Sequence, residues 1–143
     1  MCYYNTHKYH YLYVSVDENG RRYVDIMSCL GEIAGDSSFA LSEAREDSAA
    51  VDIGIEIPKT AAIWLRCDVA YAELIFSWSL DGEQWQQVPV SLDYSVISDE
   101  AGVGPGGSFT GAFVGMCCQD LSGQNSAADF DCFYYQEVER QQE

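Results

Sequence analysis

Carboxylates come first among the side chains that could do chemistry. Asp129 and Asp131 stand two apart near the C-terminus, and Asp120 precedes them. On a strand, residues two apart share a face, so the pair could act together. Hydrolysis of a glycosidic bond by two carboxylates needs them about 5–9.5 Å apart across a sugar-sized cleft. Nothing in the spacing supplies such a cleft. The same oxygens could take Ca²⁺. Solvation of a polar strand face is the reading favoured over both. His7 and His10 are the only two histidines, too few for a zinc site or a nucleophile–histidine set, and they read as surface or interface polar residues. The run from Gly102 to Gly107 lacks the Lys-Ser/Thr pair of a phosphate loop and opens no helix. The expectation is therefore no catalytic residue, no metal and no cofactor.

Aromatic side chains offer a second kind of chemistry, stacking on the C–H faces of sugar rings. Trp64, Trp78 and Trp85 are the candidates. Trp64 and Trp78 sit among apolar neighbours and read as core, which leaves Trp85 as the sugar-stacking candidate. It ends the pattern Ser79-x-Asp81-Gly82-x-x-Trp85, close to an Asp-box. That pattern is physically an Asp-Gly turn with a tryptophan packing back on it. A second aromatic group is Tyr9, Tyr11 and Tyr13, a stripe of spacing two.

The elements that would position these residues have period two. Tyr9–Val16, Tyr23–Leu30, Val51–Ile57, Ala62–Val69, Ala72–Ser79, Trp85–Val90, Phe109–Cys118 and Ala128–Val138 read as strands. Asn19-Gly20 and Asp81-Gly82 are turn signals, with φ > 0 expected at both residues of the first. Pro58 closes the third strand because it has no N–H to give. In Val51–Ile57 the residues Val51, Ile53, Ile55 and Ile57 are expected to point inward. Roughly seven to nine short strands with turns between them predict an all-β sandwich or barrel. Residues 1–138 form the domain, and 139–143 are a polar tail.

Composition bounds the partners. The chain has 143 residues with a formal net charge of −16, which phosphate backbones and anionic lipid would repel. Nucleic acid and membrane surfaces are excluded as expected partners, whereas a neutral sugar is not. No apolar run reaches the roughly 18 residues of a membrane span, and no charged-then-apolar leader opens the sequence. Six irregularly spaced cysteines predict free, mostly buried thiols in a reducing cytoplasm.

Four stretches carry a longer pattern: CYYNTHKYHYLYVSVDENGRR from Cys2, SWSLDGEQW from Ser77, FTGAFVGMCCQDLSG from Phe109 and ADFDCFYY from Ala128. In order and approximate spacing they resemble the C-terminal concanavalin A-like β-sandwich of glycoside hydrolase family 43 β-xylosidases. Position 132 departs from the pattern, with Cys where that family carries an aromatic residue. The resemblance implies an antiparallel, jelly-roll-type sandwich whose first strands, and whose catalytic five-bladed propeller, precede the stretch matched here. It further implies that three carboxylates on the propeller hydrolyse the bond with inversion while a sandwich loop closes the pocket. By position in the signature, Phe109 is the pocket-lining residue. Read by periodicity alone, Phe109 is a core residue opening a strand. The glycines from Gly104 to Gly107 suit a loop needing unusual backbone angles.

The function so implied is that of a non-catalytic accessory domain of a β-xylosidase or α-arabinofuranosidase in xylan-oligosaccharide breakdown. Its partners would be the propeller domain, xylo-oligosaccharide reached through that domain, and further copies of itself in a homo-oligomer. By itself the chain is expected to be inactive. Two rival readings stay open: a stand-alone lectin-like module using Trp85 or the tyrosine stripe, and a structural oligomerisation domain.

Overall fold

The computed structural model describes residues 1–5, 8–30, 48–59, 62–98, 111–120 and 122–137. Among these, the regular elements are strands and one short 3₁₀ turn. β1 (Cys2–Asn5), β2 (Lys8–Val16), β3 (Arg22–Leu30), β4 (Ser48–Ala50) and β5 (Ile55–Glu56) come first, followed by β6 (Trp64–Ala70), β7 (Glu73–Ser79) and β8 (Gln86–Asp93). The 3₁₀ turn Tyr94–Val96 and β9 (Phe113–Val114) complete the order. One antiparallel sheet runs β4-β3-β2-β1-β9, with β5 also on β3, and the other runs β6-β7-β8.

Alternation decides what lies between the sheets. From the larger sheet, Cys2, Tyr4, Leu12, Val24 and Ile26 point inward, and from the smaller sheet come Leu74, Phe76, Trp78 and Val88. Burial of each such side chain contributes roughly 1.5–3 kcal/mol. The tyrosine stripe lies on the opposite face of the larger sheet. Tyr9 stacks on Tyr11 at 5.6 Å, Tyr11 meets Tyr13 edge-on at 5.6 Å, and Tyr13 meets Tyr23 at 6.3 Å.

The β2–β3 hairpin turns at the expected place by a different geometry. Gly20 has φ +75°, while Asn19 is not among the residues of positive φ. The Gly20 amide donates to the Asp17 carbonyl at 2.9 Å, and the Asp17 amide to the Arg21 carbonyl at 2.9 Å. This is the three-residue loop whose last residue is left-handed, rather than the two-residue primed turn. The Asp17 carboxylate accepts the Asn19 and Arg21 amides at 2.9 and 2.8 Å. Those backbone donors, the Arg21 amide above all, hold Asp17 below the usual carboxylate range.

The expected strand Val51–Ile57 is broken. Asp52 and Gly54 have φ +58° and +52°, so only Ile55–Glu56 joins the ladder. The inward set is nonetheless as expected: Ile57 is in the core, with Val51, Ile53 and Ile55 packed against it. Asp25 makes the bulge possible. Its carboxylate is buried and accepts the Ile26 amide at 2.7 Å and the Ile53 amide at 3.1 Å, replacing the ladder partner that the left-handed residues remove.

Two expected strands are mostly absent. Phe109–Cys118 is described from residue 111, and among those residues the strand is Phe113–Val114, paired with Tyr3 and Cys2. Residues 128–137, which carry most of Ala128–Val138, form no strand. Phe130, Phe133, Tyr134 and Tyr135 stand exposed there. Alternation gave these segments strand character, but a strand also needs a neighbour to receive its amides, and none is present for 128–137 among the described residues. The sandwich is accordingly incomplete along this side.

Candidate functional site

Trp64, Trp85 and the Arg66–Asp68 pair gather at the smaller sheet. The turn joining β7 to β8 is built by Ser79 and Asp81. The Ser79 hydroxyl donates to Asp81 at 2.9 Å and accepts the Gly82 amide at 3.0 Å. The Asp81 carboxylate accepts the Glu83 and Gln84 amides at 2.8 and 2.7 Å. These donors, the Gln84 amide first, hold Asp81 below the usual carboxylate range. The carboxylate is thus spent on the turn, as the structural reading of the motif expects.

Glycine at 82 is required twice over. Its φ is +77°, and a Cβ there would lie 3.0 Å from Cε2 of Trp64. The Trp64 indole therefore lies against the turn from outside. Trp64 is partly exposed, unlike Trp78, which is buried. The expectation of a core Trp64 fails because residue 64 is on the outward parity of β6, opposite Ser79, and among the described residues β6 lies at the side of its sheet. Trp85 is half-buried, with the Arg66 guanidinium 5.5 Å from its ring centroid. Arg66 in turn bonds Asp68 at 2.8 and 2.9 Å. A sugar reaching that face of Trp85 would have to displace a cation held on the ring.

A shallow groove of about 450 Å³ lies at the other end of this sheet, lined by Ala72, Glu73, Ser91, Leu92, Asp93 and Ser95. Its carboxylates are engaged. Glu73 accepts from the Ser91 hydroxyl at 2.9 Å, and Asp93 accepts from the Ser95 amide and hydroxyl at 2.9 and 2.6 Å. The Ser95 donors hold Asp93 below its ordinary range.

Phe109, the expected pocket-lining residue, lies outside the described residues, as does His7. Asp120, Asp129 and Asp131 form no metal-holding group. Asp120 organises its own loop, accepting the Ser122 and Ser126 amides at 2.8 and 3.0 Å, and the Ser122 hydroxyl first, then these amides, bring its pKa to about 2. Asp129 and Asp131 are exposed on the irregular segment. Among the described residues, no group of three or more His, Cys, Asp or Glu side chains is placed to hold a metal ion. Nor is any helix there long and apolar enough to cross a membrane.

Sequence reasoning missed His10. It is buried, not superficial: Nδ1 meets the Ser28 hydroxyl at 2.8 Å and Nε2 meets the Asp93 carbonyl oxygen at 3.3 Å. The one available signal was its parity with Leu12 and Val14 on β2. The cysteines divide as well. Cys2 and Cys29 are buried and Cys67 is half-buried, whereas Cys117, Cys118 and Cys132 are exposed on the unpaired segments.

Two antiparallel sheets packed on a shared core, with a built turn and a cation-covered tryptophan on the smaller one, define a β-sandwich module. Residues 1–136 match the family described as the β-xylosidase C-terminal concanavalin A-like domain, and the chain belongs to that family. It is 37% identical over 139 residues to the Xylosidase/arabinosidase 43B of Humicola insolens, covering 96% of this chain and 24% of that protein. It is 33% identical over 136 residues to the Beta-xylosidase of Bacillus subtilis, covering 94% of this chain and 23% of that protein. The chain thus spans about a quarter of the length of the relatives it matches.

Proposed function

We propose that this domain serves the catalytic domain of a β-xylosidase or α-arabinofuranosidase, closing and shaping its substrate pocket during breakdown of xylan oligosaccharides. The observation that carries the reading is the family match across residues 1–136, joined to relatives named for xylosidase activity and about four times longer. In this reading the glycine-rich stretch from Gly104 to Gly107 carries Phe109 to the pocket, where its ring forms an apolar wall that excludes water. The sandwich holds that loop in place. The hydrolytic carboxylates belong to the catalytic domain.

A graft tests this. Residues 1–136 replace the matched segment of the Bacillus subtilis relative, with and without Phe109→Ala, and xylobiose hydrolysis is measured. The graft should be active, and Phe109→Ala should lower kcat/KM at least tenfold with unchanged thermal stability. Equal kcat/KM for the two grafts would rule out the pocket-lining role.

A further inference from the structure

Two sulfurs face each other across the core. Cys2 lies on β1 of the larger sheet and Cys67 on β6 of the smaller, and their Sγ atoms are 3.4 Å apart. Both positions are set by ladders rather than by loops. Cys2 pairs with His10 on one side and Val114 on the other, and Cys67 pairs with Phe76. Cys2 belongs to the core and Cys67 packs against it. The remaining cysteines stand elsewhere. Cys29 is opposite Tyr9, on the face of the larger sheet that carries the tyrosine stripe, and Cys117, Cys118 and Cys132 are exposed on the chain after β9.

We propose that Cys2 and Cys67 form a reversible oxidation site, at which hydrogen peroxide converts the two thiols into a disulfide that links one sheet to the other. The sulfurs have to approach by roughly 1.4 Å to reach disulfide length. The hydrogen bond between them lowers the Cys2 thiol and raises that of Cys67, which makes Cys2 the attacking sulfur. Its thiolate attacks one peroxide oxygen, the O–O bond breaks, and Cys2 becomes a sulfenic acid as hydroxide leaves. Cys67 then gives up its proton and attacks Sγ of Cys2, the S–O bond breaks, and the second hydroxide leaves. The protons shed by the thiols turn both hydroxides into water, so the sulfurs are oxidised and the peroxide oxygens reduced. A thiol reductant reverses the bond by exchange. The bond joins residues 65 positions apart, and a cross-link of that span stabilises the fold mainly by restricting the unfolded chain. The inference does not depend on the pocket-closing role.

The test treats the chain with hydrogen peroxide, blocks the remaining thiols with iodoacetamide in denaturant, and maps peptides without reduction. A linked peptide holding Cys2 and Cys67 should appear, lighter by two hydrogens than its parts, and dithiothreitol should remove it. The urea midpoint of the oxidised chain should rise by at least about 1 M and fall back with dithiothreitol. Cys67→Ser should abolish both the linked peptide and the rise, with circular dichroism checking its fold. The wild-type map decides the matter even if that variant does not fold. Cys2 and Cys67 that stay free, end as sulfinic acids, or are found linked to other cysteines would overturn the proposal. So would a Cys2–Cys67 peptide with an unchanged midpoint, since the bond would then have formed outside the folded sandwich.

Discussion

Nε2 of His10 lies 3.3 Å from the carbonyl oxygen of Asp93, joining the middle of the larger sheet to the end of β8 in the smaller one. With Nε2–H donating, Nδ1 accepts from the Ser28 hydroxyl at 2.8 Å, and the ring is neutral. Burial lowers its pKa from the ordinary histidine range, more than the Asp93 carbonyl and carboxylate raise it. Below about pH 6.5, the unfolded value, the unfolded chain binds more protons than the folded one. Stability therefore rises with pH here. The contribution is complete above about pH 6.5 and is lost as pH falls through the lower folded value. Urea unfolding at a series of pH values should show this slope, and His10→Gln should flatten it.

Removing the Asp25 carboxylate should open the bulge between β4 and β5. Asp25→Ala leaves the Ile53 amide without its acceptor, and a buried group so orphaned costs about 1–3 kcal/mol. Asp25→Asn keeps one acceptor oxygen and should cost less. Urea midpoints at constant slope measure both.

These two groups mark how far the sequence could be read. The hairpins β2–β3 and β7–β8 were legible because local turn chemistry and period-two alternation agree there. Asp25 and His10 were not, because their roles depend on groups distant in the chain: the Ile53 amide, freed by left-handed Asp52 and Gly54, and a carbonyl 83 residues away. The segment from Ala128 misled for the opposite reason. Its alternation is clear, but alternation says which faces a strand would have, not whether a neighbour is there to pair with it. The family was legible in the signature that begins at Phe109, while Phe109 itself lies outside the described residues. Arg66 over Trp85 was invisible, since it arises from pairing β6 and β8 on either side of β7.

Substitution of Gly82 should disturb Trp64. Gly82→Ala must hold φ +77° and places a Cβ 3.0 Å from the Trp64 indole. The left-handed backbone alone costs about 1–2 kcal/mol. Thermal unfolding should fall accordingly, with a red shift of tryptophan emission as the indole moves into water.

The cysteines should alkylate in two classes. Sγ of Cys2 and Sγ of Cys67 lie 3.4 Å apart between the sheets. The hydrogen bond with Cys2, followed by burial, pushes the Cys67 thiol far up, and a thiol held protonated is a poor nucleophile. Iodoacetamide should therefore label the exposed Cys117, Cys118 and Cys132 first. Cys2, Cys29 and Cys67 should follow only in denaturant, as read by peptide mass spectrometry.

The accessory role is tested most directly by titrating the isolated chain with xylobiose while following amide shifts, alongside an assay on an aryl β-xyloside. With Arg66 held over Trp85, and on the proposed accessory role, no saturable shift at millimolar sugar and no hydrolysis are expected. Saturable shifts clustered on Trp85 or on Tyr9, Tyr11 and Tyr13, or cleavage lost on replacing Asp129 or Asp131, would contradict it.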